Sequence, residues 1–176
     1  MISLLAVCCW SCSHKSPWLT VAVDDRVMVQ VPSKLQQLEP SALGMSNTPG
    51  RIILGAEDAD GMYLVTLKTV GVITNRDRYY DGLVIGILKG THGTLLSRAS
   101  FPTRDGKGME IRFKAHEPNT GKGFIQYSRS IVVGDVDYSF SFISKDSQDT
   151  TGVSGSPKRK KFFESIAVNS ATEPTQ

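Results

Sequence analysis

Between Met109 and His116 the chain alternates strictly, with Met109, Ile111, Phe113 and Ala115 apolar and Glu110, Arg112, Lys114 and His116 polar. Successive side chains of a strand point to opposite faces, so the pattern predicts a strand with one buried and one wet face. The same period returns where Val136, Tyr138, Phe140 and Phe142 alternate with Asp137, Ser139 and Ser141. Stretches of this kind belong to an antiparallel sheet whose apolar side must be covered. The 176 residues suit one domain of that size.

Further strands are expected over residues 27–31, stopped by Pro32, and over 51–56, 62–70, 94–101 and 122–133. Asp60-Gly61 reads as a type I′ hairpin turn and Gly134-Asp135 as type II′. Asp105-Gly106-Lys107-Gly108 makes another turn, and Pro102 is expected to end the strand before it. Residues 40–50 and 146–155 read as loops.

Two helices complete the pattern. Asn75 or Asp77 can cap the first, behind which Tyr79, Tyr80, Leu83, Val84, Ile87 and Leu88 recur at helical spacing. Gly90 occupies the place of a left-handed C-terminal cap. Gly82 and Gly86 each weaken a helix by about 1 kcal/mol relative to Ala, and their spacing predicts close approach to the sheet. Ser156-Pro157 opens the second helix, with Ser156 as the capping hydroxyl and Phe162, Phe163, Ile166 and Ala167 as the apolar stripe.

Hydrophobic residues make up 40% and charged residues 21%, which excludes wholesale disorder and collagen. A formal net charge of +3 is too small for a dedicated nucleic-acid binder. The cysteines Cys8, Cys9 and Cys12 are confined to the first twelve residues, so the body has no internal disulfide. Residues 1–13 carry no Asp, Glu, Lys or Arg, and the apolar run there falls far short of the ~20 residues of a membrane span. An apolar run ending in cysteine reads as an export signal. Leu5-Ala6-Val7-Cys8 approaches a lipoprotein cleavage pattern, which makes Cys8 and Cys12 the lipidation candidates. A disordered tail is the alternative. A metal site from Cys8, Cys9, Cys12 and His14 is disfavoured, because adjacent cysteines do not easily both face one ion. No metal and no cofactor are expected. Residues 1–16 are thus a signal or tail, 17–168 one domain, and 169–176 a disordered end.

The order of a strand ending in proline, a hairpin, a middle helix, long antiparallel strands and a terminal helix with Phe-Phe-x-Ser resembles the PsbP-like family. The matching residues are 27–32, Tyr79-Tyr80, Tyr127-Ser128-Arg129 with Val132-Val133-Gly134, and Lys161-Phe162-Phe163-Glu164-Ser165. The likeness covers about residues 27–168. That family takes its name from an extrinsic photosystem II subunit and includes a Ran-GTPase-binding import factor and bacterial envelope lipoproteins. The resemblance implies an α+β fold, an α/β/α sandwich with a central antiparallel sheet of about six to seven strands flanked by two or more helices. Its motifs mark packing positions, so no binding site is carried over.

Lys158-Arg159-Lys160-Lys161 is the strongest electrostatic feature. Four cations at a helix start oppose its macrodipole, so they suggest an anionic partner or, more plainly, a solvated face. Glu57, Asp58 and Asp60 lack the remainder of a calcium loop and read as turn residues. His92, lying between glycines near Ser97, and His116 are the available acid–base groups, though no Gly-x-Ser-x-Gly elbow accompanies them. The reading that follows is a non-catalytic binding or scaffold module of the bacterial cell envelope, periplasmic or membrane-anchored. It would be a monomer with a protein partner, no nucleic acid, and membrane association only through a lipid anchor. The alternatives are a small hydrolase using His92 or His116 and a cytoplasmic polyanion binder acting through Lys158 to Lys161.

Overall fold

The computed structural model describes residues 18–43, 45–116, 121–146 and 155–169; Cys8, Cys12 and the rest of the expected export segment lie outside them. The alternating stretches do form strands. In chain order the elements are β1 (Leu19–Ala22), β2 (Val27–Val31), β3 (Gln36–Gln37), β4 (Arg51–Glu57), β5 (Gly61–Thr69), α1 (Arg76–Gly90), β6 (Thr94–Thr103), β7 (Gly106–His116), β8 (Gly123–Val133), β9 (Val136–Ser144), α2 (Ser156–Glu164) and β10 (Ala167–Val168). Seven strands make one antiparallel sheet in the order β3-β4-β5-β9-β8-β7-β6. The other three, β1, β2 and β10, make a small separate sheet centred on β2.

Alternation decides what covers each face. The odd-numbered residues of β7, Met109 to Ala115, are buried under α1 with Tyr80 and Val84. On the opposite face Tyr63, Val65, Ile131, Tyr138, Phe140 and Phe142 pack against β2 and against Phe162 and Phe163 of α2. One helix on each face gives the expected α/β/α sandwich, with the small sheet supplementing α2.

Local chemistry fixes several joints. Asn75 caps α1 by accepting a hydrogen bond from the Arg78 amide at 3.0 Å. Gly134 has φ 60°, and Asp135 is not in the left-handed region, as a type II′ turn between β8 and β9 requires. The β4–β5 turn differs from expectation, because neither Asp60 nor Gly61 has positive φ. The Asp58 carboxylate instead closes it by accepting from the amides of Asp60 (2.9 Å) and Gly61 (3.1 Å). Glycine is required there by proximity, since a Cβ would stand 2.4 Å from the Phe142 ring.

Three other expectations are corrected. Pro102 does not end β6, because β6 is an edge strand where a missing N–H costs no ladder bond. At the end of α1 it is His92, with φ 47°, that turns left-handed, one residue past the Thr91 cap; Gly90 is not in that region. Gly82 and Gly86 do not seat the helix against the sheet. A Cβ on either would meet nothing within 4 Å, because Tyr80 and Val84 direct the opposite side of α1 inward.

Both glycines therefore leave helix stability unused. Gly82→Ala and Gly86→Ala are each expected to raise the unfolding free energy by about 0.5–1 kcal/mol, read as a higher urea midpoint. A lower midpoint would restore the close-approach reading.

Candidate functional site

The basic run lies where α2 meets the two sheets. Gly155, with φ 70°, is the residue that precedes the helix, and Pro157 occupies its first turn. Ser156, expected as the cap, lies inside the helix, where its Oγ accepts from Arg159 Nη2 at 3.2 Å.

Each cation of the run has a neighbour. Lys158 reaches the β4–β5 turn, where its ammonium pairs with Asp58 at 2.8 Å and with Asp60. Those two bonds raise the Lys158 pKa against a smaller opposing effect of burial. For Asp58, burial works to raise the carboxyl pKa, but the Lys158 bond and the Asp60 and Gly61 amides outweigh it and hold the pKa low. The acidic cluster and the basic run, read separately from the sequence, are thus one latch, with Glu57 paired to Lys145 at 2.9 Å beside it. Arg159 lies over the Tyr127 ring, 3.7 Å from its centroid, and Lys161 over Trp18 at 4.7 Å. Lys160 is exposed, with 74% of its side chain accessible and a long 3.8 Å pair to Glu164. Lys160 and Lys161 line an open groove of about 430 Å³ with Gln30, Pro157, Glu164 and Ser165.

The Phe-Phe-x-Ser and Tyr-Ser-Arg elements hold this groove in place. Phe162 is fully buried, with its ring 5.3 Å from Tyr63 and 6.2 Å from Phe140 in edge-to-face contact. Ser165 Oγ accepts from the Gln30 amide of β2 at 2.8 Å and donates to the Phe162 carbonyl at 2.7 Å. Arg129 of β8 lies 5.2 Å from the Phe101 ring and 5.2 Å from the Phe163 ring, donates to the Phe163 carbonyl at 3.1 Å and pairs with Glu110. The sequence marked these residues as packing positions but gave no sign that Arg129 ties α2 to the sheet.

The two histidines converge at the α1–β6 connection. His116 Nδ1 is 3.0 Å from the His92 carbonyl oxygen, and the ring donates when Nδ1 carries the proton. Ser97 sits opposite Arg112 on β6 and, among the described residues, makes no hydrogen bond to either imidazole. The serine–histidine pairing considered from the sequence is not assembled.

A buried carboxylate had no signal in the sequence beyond its place in the alternation. Asp137 of β9 points to the α1 face and is 3% exposed. Ser139 donates to its Oδ2 at 3.3 Å, and among the described residues Oδ1 has no hydrogen-bond partner. Burial pushes its pKa up to about 6, against opposing effects of the Tyr79 and Ser139 hydroxyls and the Lys68 charge. On the same face Ser130 meets Ser139 at 2.7 Å and Ser141 donates to Ser128 at 3.2 Å, so the serines of the strand centre satisfy one another.

No family model matches the chain, and no curated protein matches it in sequence. Among solved structures it is similar to cyanobacterial PsbP (CyanoP) from Synechocystis sp. PCC 6803, with a TM-score of 0.59 at 10% identity. That match covers 92% of this chain and 97% of the other. A crystal structure from Bacteroides thetaiotaomicron VPI-5482 also overlaps, with a TM-score of 0.46 at 11% identity, covering 84% of this chain and 46% of that one. The seven-stranded antiparallel sheet between helices defines the protein as an α/β/α sandwich. In its particulars the fold is the PsbP-like fold, as the terminal-helix motif implied.

Phe162→Ala is expected to cost about 3–5 kcal/mol by opening the aromatic cluster, whereas Lys160→Ala should stay within about 0.5 kcal/mol; urea unfolding measures both. For Asp137, a folded-state pKa near 6 lies above the ordinary aspartate value of 3.8. The folded state therefore holds its proton longer than the unfolded state, and stability falls as pH rises between those values, by on the order of 3 kcal/mol. Asp137→Asn is expected to remove that fall, so its advantage over the natural chain should grow from pH 4 to pH 8. Parallel stability curves would show an ordinary carboxyl.

Proposed function

We propose that the protein is a non-catalytic binding module of the bacterial cell envelope, exported on its N-terminal segment, with Cys8 or Cys12 as the point of lipid attachment. The observation that carries this reading is the rigid seating of α2. Phe162, Ser165 and Arg129 fix the helix on both sheets, while Lys160 and Lys161 remain along an open groove beside Gln30 and Glu164. A preorganised face needs little ordering when a partner docks, which favours binding. The opening is lined by two lysines against one glutamate, so an acidic protein surface is the complementary partner. Within the run, Lys158 and Arg159 support the face by holding the β4–β5 turn and Tyr127, and Lys160 and Lys161 make the contact.

The cysteine-bearing apolar segment at residues 1–13, followed by a cysteine-free body, supports export. Among the described residues no helix is long and apolar enough to cross a membrane, so in this reading anchoring rests on the lipid alone. The contact of His116 with His92 is backbone-directed and, among the described residues, brings no nucleophile with it, which gives the hydrolase reading no support of its own.

Fractionation of cells that make the full chain tests the proposal. The protein is expected in the envelope fraction and released by detergent, with an intact mass showing loss of the residues before the modified cysteine and addition of acyl chains. Recovery from the cytosol with an unmodified N-terminus would overturn it.

A further inference from the structure

Among the described residues Trp18 comes first in the chain, and it stands at the wall of the α2 groove. Lys161, which lines the groove, holds its ammonium over the Trp18 ring at 4.7 Å. Trp18 also meets Tyr63 edge-to-face at 5.5 Å, near the start of β5. The other end of that strand, Thr69, lies about 20 Å further along, and beyond it Val72 is 88% exposed. The chain thus enters its domain beside the groove and away from Val72. From Cys12 to Trp18 is six residue steps, and from Cys8 it is ten. However the segment is arranged, those steps reach at most about 20 Å and about 35 Å.

We infer that anchoring at either cysteine holds the groove at the membrane surface, and that the acidic partner it takes up is a protein held in the same membrane. The inference rests on the lipid-anchored reading above and names the partner of that same site. An exposed ion pair changes an affinity by less than about tenfold. Lys160 and Lys161 are both exposed and have Glu164 beside them. Two such pairs by themselves leave a freely diffusing protein far from micromolar binding. Fixing both partners to one surface changes the arithmetic, because a short link gives an effective concentration of about millimolar. A weak, open contact then suffices. The reach of the tether also sets the height at which the acidic segment must lie, since the groove stays within that distance of the headgroups.

The test uses the full chain made in cells, its acyl group confirmed by intact mass, and placed in phosphatidylcholine vesicles. A donor dye is attached at Glu164→Cys in the groove or at Val72→Cys, with cysteines that carry no acyl group replaced by serine. Headgroup-labelled lipid is the acceptor. Energy transfer that is stronger from residue 164 than from residue 72, and that weakens when about twenty Gly and Ser residues are inserted before Trp18, supports the placement. Equal or reversed transfer overturns it. A Glu-rich peptide carrying a quencher then serves as the acidic probe, either free or linked to a lipid of the same vesicles. The linked peptide is expected to quench the dye at residue 164 at a concentration at least about tenfold below the free one. That advantage should vanish in the double variant Lys160→Gln, Lys161→Gln. A free peptide that quenches equally well, a double variant that keeps the effect, or added phosphatidylglycerol that abolishes it overturns the inference. A chain without an acyl group overturns the anchoring reading and this inference with it, whereas an acylated chain that fails these arms overturns this inference alone.

Discussion

Phe162 sits where three layers meet, between the small sheet, the seven-stranded sheet and its own helix, and ties them together. Its ring closes an edge-to-face set with Tyr63 and Phe140, and Tyr63 extends the set to Phe142 at 5.2 Å and Trp18 at 5.5 Å. Such pairs contribute about 0.5–1.5 kcal/mol each beyond the area they bury. A nine-residue helix has little stability of its own, because nucleation is costly and few bonds follow it. Helix α2 exists because this aromatic socket receives it. The serine three residues on then ties the helix end to the central strand of the small sheet, so both sheets are held in one relation by one side chain and its neighbour.

Around that socket the charges are matched in pairs that neither partner's sequence context suggests. Four cations at a helix start would repel one another and the helix dipole. In the folded chain Lys158 is answered by two carboxylates of the β4–β5 turn, and the arginine and lysine that follow lie on aromatic rings. The same turn needs Asp58 for its own closure, so one carboxylate serves the turn and the latch together. Arg129 repeats the arrangement, stacked between two phenylalanines while bonded to Glu110 and to the helix backbone. Lys160, whose pair to Glu164 is long at 3.8 Å, is the most loosely matched of the four and lies along the groove.

The opposite face follows another rule. Helix α1 covers the apolar side of β7, but nearer the middle of the sheet the floor is serine, threonine and one buried aspartate. Hydroxyls bonded across strands satisfy one another, which makes burial tolerable. Asp137 is the exception, with one oxygen unpaired among the described residues, and it gives this face its sensitivity to protonation.

The periodicities, the Asn75 cap, the Gly134 turn and the order of elements were legible in the chain itself, because each depends on residues a few positions apart. They were enough to give the sandwich and its likeness to the PsbP-like fold. Only the tertiary structure decided that Lys158 meets an aspartate 100 positions away, that Ser165 bonds Gln30 across 135, and that Gly82 and Gly86 face solvent. Hydrophobic patterning states which side of an element is buried, but strand register and helix seating decide which polar group lies opposite which, and those are settled only when distant segments pack.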